Sequence, residues 1–186
     1  MAAKIEPLVT VADLEALPED GNRYEVIEGE IFVSRAPGLP HQLVSANISH
    51  EFKKYLAIHP IGLIVPTPGL VFDQYNGVIP DLVFFSHRRR SEIVERERLI
   101  AAPELAIEIL STGSQNINPD RITKRQLYSK YSVKEYWIVD VENRAVEIYR
   151  QSPTGLALNS TLYSGERIIS PLLPNFDCPV DSLFEE

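Results

Sequence analysis

The sequence predicts a mixed α/β fold, of the α+β kind, on three observations. Val44, Ile48, Phe52 and Tyr55 recur at helical spacing. Residues 79–85, 104–110 and 134–140 are short apolar runs of strand length. A second helical pattern, residues 118–131, separates the last two of those runs.

The elements follow in order. Thr10-Val11-Ala12-Asp13 has the form of a capping box with Asp in the usual Glu place, opening a short helix through Leu17. Residues 23–27 and 30–34 alternate around Glu28-Gly29 and predict an N-terminal β-hairpin. Pro40 suits the first turn of a long helix reaching about Leu56. Residues 62–65, 69–72 and 79–85 read as strands broken by Pro and Gly, while the charged stretch 89–98 is ambiguous between helix and strand. Residues 104–110 form a strand. The helix over 118–131 has Asn118 as a cap and Pro119 at its first position. Residues 134–140 and 145–149 predict a second hairpin around Glu142-Asn143, and 157–163 and 168–169 add strand in the tail. No internal repeat or linker interrupts this order, so 186 residues are expected to form one domain, 1–186.

Composition excludes several classes. No run of about 18 apolar residues is present, and Met1 to Glu6 lacks the apolar core of a secretory signal. The single Cys178 cannot form an internal disulfide, which fits a reducing compartment and makes cytoplasm the expected location. A net charge of −8 argues against a simple nucleic-acid coat protein. Basic residues are nevertheless clustered. Arg121, Lys124, Arg125, Lys130 and Lys134 stand close together, as do Arg88, Arg89 and Arg90. Such patches can meet a phosphate backbone despite the global sign, with Arg125 the expected phosphate contact.

Two acids stand where solvation does not put them: Asp81 inside Val78-Ile79-Pro80-Asp81-Leu82-Val83-Phe84-Phe85, and Glu108 inside Leu105-Ala106-Ile107-Glu108-Ile109-Leu110. A buried ionised carboxylate costs several kcal/mol unless a cation or hydrogen bonds compensate it. Alternation sets Asp81 with Val83 and Phe85, and Glu108 with Ala106 and Leu110. On neighbouring strands the two would converge on one hard cation, for which one or two carboxylates plus water suit Mg²⁺. Lys124 shares one helix face with Tyr128 and Tyr131, directing an ammonium toward the sheet. Solvated or arginine-paired acids and a snorkelling lysine are the plain alternatives.

The order of these residues resembles the PD-(D/E)XK nuclease core, an acid followed by acid-any-lysine. Leu110 occupies the usual lysine place, and Asp120-Arg121-Ile122-Thr123-Lys124 matches branches that carry the lysine on the next helix. The specific branch it resembles is the Uma2 (DUF820) family, restriction-endonuclease-like. The matching stretches are Tyr24-Glu25-Val26-Ile27-Glu28-Gly29-Glu30, His41, Pro80-Asp81, residues 103–111, Asp120 with Lys124 and Tyr128, residues 133–140 and Val146-Glu147-Ile148-Tyr149. Ser111-Thr112-Gly113-Ser114 departs from the family's usual Ser-Pro-Ser.

The resemblance implies a central mixed β-sheet flanked by helices, and an endonuclease that hydrolyses DNA with Mg²⁺ or Mn²⁺, leaving a 5′-phosphate. By that resemblance Asp81, Glu108 and the carbonyl of Ile109 are metal ligands, and Lys124 is the catalytic lysine. Glu25 is the additional N-terminal acid, with Glu28 and Glu51 as rivals, and His41 is a candidate for the pocket rim. Tyr136 and Trp137 are expected in the core or a dimer contact, and on an edge strand they would suit a homodimer. The alternative function is a catalytically silent binding or regulatory module on the same fold.

Overall fold

The structure is a computed structural model that describes residues 8–111 and 119–185. The expected cap at Asn118 lies outside the described residues. The chain runs α1 (Val11–Leu14), β1 (Arg23–Ile27), β2 (Glu30–Ser34), α2 (Leu39–Ile58), β3 (Gly62–Pro66), β4 (Leu70–Asp73), β5 (Asn76–Val78) and β6 (Leu82–Ser86). It continues through α3 (His87–Ile93), β7 (Val94–Glu95), β8 (Arg98–Leu99), β9 (Leu105–Leu110), α4 (Pro119–Lys130), β10 (Glu135–Asp140) and β11 (Ala145–Ser152). It closes with β12 (Gly155–Leu162), β13 (Arg167–Ser170), β14 (Leu173–Pro179) and a 3₁₀ turn (Val180–Phe184).

The central sheet has the order β12-β11-β10-β9-β6-β3. β9 and β10 run parallel, joined through α4, and every other pair in this sheet is antiparallel. A parallel pair needs such a crossover because a tight turn cannot return the chain in the same direction. A second sheet, β2-β1-β5-β4-β8-β7, is built on the N-terminal hairpin. One face of the central sheet packs Phe84, Ile107, Trp137 and Val139 against Val44, Ile48 and Phe52 of α2. The other packs Val83, Ala106, Tyr136 and Ile138 against Leu127 and Tyr128 of α4 and Leu70 and Val78 of the second sheet. No helix among the described residues is long and apolar enough to cross a membrane.

Four differences from the sequence reading have physical causes. Pro80 has no N–H to donate, so the strand expected over 79–85 begins at Leu82 and Asp81 sits just before it. β5 was not predicted, because Asn76-Gly77 reads as a turn. Its Asn76 side chain is buried, accepting from Glu28 N–H and donating to Asp73. β14 was also missed, its pattern interrupted by prolines and polar residues. Finally, β10 lies between β9 and β11, and Trp137 and Tyr136 are about 1% exposed, so they belong to the core and offer no edge for a dimer.

α1 shows the capping box read from the sequence, although the helix ends at Leu14. Thr10 Oγ1 accepts from Asp13 N–H, and the Asp13 carboxylate accepts from Thr10 N–H at 2.7 Å. Thr10→Ala is therefore expected to cost about 1 kcal/mol, read as a lower urea midpoint with an unchanged m-value. An unchanged midpoint would assign the cap no part in stability.

Candidate active site

The site forms at the end of the central sheet where β6 begins and β9 ends. β6 and β9 pair with Leu82 opposite Ile107, so one further step sets Asp81 opposite Glu108. Both acids lie on the α4 side, with Val83 and Ala106. The β6–β9 register, continued past its last pair, therefore brings together two carboxylates far apart in sequence.

Each acid has defined partners. Asp81 Oδ2 accepts the backbone N–H of Ile109 at 2.9 Å and meets His41 Nε2 at 3.1 Å. Arg23 Nη1 lies 3.3 Å from the other oxygen, Oδ1. Glu108 Oε1 accepts from Tyr128 Oη at 2.7 Å, and Lys124 Nζ stands 3.3 Å from the same carboxylate. Lys124 Nζ is also 3.0 Å from Glu25 Oε1, an oxygen that accepts the N–H of Ile79 at 2.7 Å. β1 supplies Glu25 and Arg23, α2 supplies His41, and α4 supplies Lys124 and Tyr128 one turn apart.

Burial governs the charges. Burial raises the Glu108 carboxyl to about 8, and the charges of Asp81 and Glu25 add to it against the pull of Lys124 and Tyr128. For Asp81 burial is likewise the largest influence. The hydrogen bond and charge of His41, the Ile109 N–H and the charge of Lys124 outweigh it, holding Asp81 below the usual carboxylate range. Burial opposes the charged form of Lys124, but Glu108 and Glu25 more than compensate and raise it above an ordinary lysine. Three carboxylates thus gather near one ammonium, and Glu108, the one raised by burial, is the one most inclined to hold a proton.

The rival acids stand elsewhere. Glu28 is exposed and pairs with Lys130, and Glu51 pairs with Lys54 on α2. His41 is buried against Asp81, deeper than a rim position. Arg125, expected at phosphate, places its guanidinium over the Tyr149 ring, 5.2 Å from the centroid. The sequence reading did not single out Arg23, Ser34 or Arg35, which line the same pocket. Arg23 stands two residues before Glu25 on one strand, so alternation alone would have put them on one face. The pocket is a cavity of about 160 Å³ floored by Asp81, Glu108 and Lys124.

Among the described residues, no group of three or more His, Cys, Asp or Glu side chains is arranged to hold a metal ion. A cation here would rest on the side chains of Asp81 and Glu108, with backbone oxygen and water completing its shell. That donor set suits Mg²⁺ or Mn²⁺, which accept one or two carboxylates and retain water.

A mixed sheet with a parallel strand pair, and an acid–lysine cluster at its end, defines a restriction-endonuclease-like protein. The chain belongs to the Uma2 family, whose model, described as "Putative restriction endonuclease", matches residues 11–181. Among solved structures it is similar to "a putative nuclease belonging to DUF820" from Anabaena variabilis ATCC 29413. That likeness has 20% identity, 95% coverage of this chain, 97% of the other and a TM-score of 0.75, which establishes the shared fold. The type IIG restriction endonuclease BpuSI aligns over 77% of this chain and 15% of its own, at 12% identity and a TM-score of 0.46, too loose to argue from. No curated protein matches the chain.

Proposed function

We propose that this protein is a metal-dependent endonuclease that hydrolyses phosphodiester bonds of DNA, with the whole chain acting as one unit. The observation that carries the reading is the buried Lys124 ammonium, 3.3 Å from Glu108 and 3.0 Å from Glu25, with Asp81 just before the start of the neighbouring strand. Asp81, Glu108 and the Ile109 carbonyl would hold Mg²⁺ or Mn²⁺. Such an ion supplies Lewis-acid polarisation of a phosphoryl oxygen and neutralises its charge.

The chain's own groups do the rest. Lysine has three donors. Glu25 and Glu108 fix the ammonium, and its remaining donor capacity faces the pocket. There it orients the attacking water and stabilises negative charge that develops on the phosphoryl oxygens. Tyr128 donates to Glu108 and fixes that carboxylate. His41 and the Ile109 N–H fix Asp81 by the same means. The lone buried Cys178 fits a reducing, cytoplasmic setting.

The test is cleavage of plasmid and single-stranded DNA with Mg²⁺ or Mn²⁺. Cleavage that stops on chelation is the expected result. Absence of cleavage on every DNA and RNA offered would favour the silent binding module, a reading that the Arg23–Asp81 ion pair also suits.

A further inference from the structure

Asp81 has only one oxygen open to a new ligand, and Arg23 holds it. Oδ2 is engaged by His41 and by the Ile109 N–H, on two sides. Oδ1 meets Arg23 Nη1 alone among the described residues. A divalent ion using Asp81 must therefore take the oxygen that the guanidinium now occupies. The guanidinium is a cation with donors only, so it competes with the ion for that oxygen.

The hold on Asp81 is loose. Contact is through one nitrogen at 3.3 Å, longer than the 2.7–2.9 Å of a tight charge-assisted bond, and it is not bidentate. The Arg23 side chain is 26% exposed, against 7% for Asp81. Its surroundings also offer it another partner. Arg23 pairs across the hairpin with Ser34, and Arg35 follows directly, with all three lining the pocket. Arg35 is exposed and makes no ion pair among the described residues. Two guanidinium groups at one mouth, one unpaired and one weakly paired, suit a phosphate that takes both.

We propose that Arg23 is a displaceable stand-in for the cation. It rests on Asp81 until a phosphodiester draws it to the pocket mouth, so that metal and nucleic acid bind cooperatively. The proposal rests on the reading of this pocket as a phosphodiester site. Coupling of this kind is reciprocal: strand binding tightens the metal by the same factor that the metal tightens the strand.

The test is calorimetric titration of Mn²⁺ into metal-free protein, alone and with a saturating phosphorothioate single-stranded oligodeoxynucleotide. Arg23→Met is expected to bind Mn²⁺ on the order of tenfold tighter than wild type without oligonucleotide, within the usual range of coupling factors. Arg23→Gln serves as the second neutral variant should Met fail to fold. Arg23→Lys, which keeps the charge, stays near wild type. Arg35→Met also stays near wild type, because Arg35 does not touch Asp81. The oligonucleotide tightens Mn²⁺ binding to wild type by a larger factor than to Arg23→Met, and an equal factor in both would overturn the inference. Neutral variants with wild-type or weaker Mn²⁺ affinity, while Asp81→Ala abolishes binding, would overturn the role of Arg23 and leave the metal centre standing. An equal gain in Arg35→Met would reduce the effect to general charge and overturn it too. Should Asp81→Ala bind Mn²⁺ as wild type does, the metal centre and the inference fall together.

Discussion

Lys124→Met is expected to slow cleavage by on the order of 10²-fold or more, about 2.7 kcal/mol, while Mn²⁺ binding survives. The ammonium acts on charge that develops in the transition state, so its loss lowers turnover more than substrate affinity. The proposed ligands are oxygen atoms of β9 and of the residue preceding β6, none of them belongs to α4, and Tyr128 still holds Glu108 in the variant. Methionine keeps an unbranched apolar stem and removes the ammonium, with both its charge and its donors. That removal leaves Glu25 and Glu108 buried without their cation, and breaking one side of a buried pair costs about 3–5 kcal/mol. The assay is therefore run on protein shown to be folded, at saturating Mn²⁺. Lys124→Arg serves as the charge-conserving comparison. A neutral variant that is folded and metal-bound yet cleaves at the wild-type rate would remove the lysine from the mechanism.

Much of the arrangement was legible because burial and charge conflict visibly in the sequence. Glu108 lies within a run of apolar residues, and β9 is buried over nearly its whole length. Lys124 announces itself by sharing a helix face with Tyr128, and the structure puts both against Glu108. The first hairpin was readable to the residue, because alternation on both sides of Glu28-Gly29 fixes its register. Which N-terminal acid approaches Lys124 was not readable. Glu25 lies on β1, Glu28 in the turn after it and Glu51 on α2, and the choice depends on how the hairpin docks. That docking runs through the pairing of Val26 with Gly77 in β5, a strand whose Asn-Gly start disguises it as a turn. The position of Asp81 was partly readable: its neighbours are apolar, but Pro80 moves it off the ladder to the strand's threshold. Arg23 went unnoticed because a basic residue opening a surface hairpin is ordinary, and only the tertiary structure carries it to Asp81.

Glu108→Gln is expected to invert with metal: more stable than wild type without it, and barely stabilised by it. Glutamine matches the volume, and its carbonyl can still accept from Tyr128. In metal-free protein the Glu108 carboxyl is raised to about 8 from an ordinary 4.5. Between those values the native state keeps a proton that the unfolded chain has released. Stability of the metal-free wild type therefore falls as pH rises from about 4.5 to about 8. Above pH 8 the penalty is complete and amounts to a few kcal/mol, since each pH unit across that window costs about 1.36 kcal/mol. Glutamine does not titrate, so the variant loses this slope and melts higher than wild type at pH 8. Added Mn²⁺ reverses the advantage, because an ion bound only to the native state adds about 2.7 kcal/mol at one hundred times its Kd. For a chain of this size that corresponds to roughly 5–11 °C in Tm. Wild type gains this shift, whereas Glu108→Gln, with one ligand oxygen neutralised, gains little. Melting curves at pH 5 and pH 8, with and without Mn²⁺, decide the matter. An equal Mn²⁺ shift in both proteins would take Glu108 out of the metal site. A metal-free variant that melts below wild type at pH 8 would show that the Glu108–Lys124 attraction outweighs the crowding of three carboxylates around one ammonium.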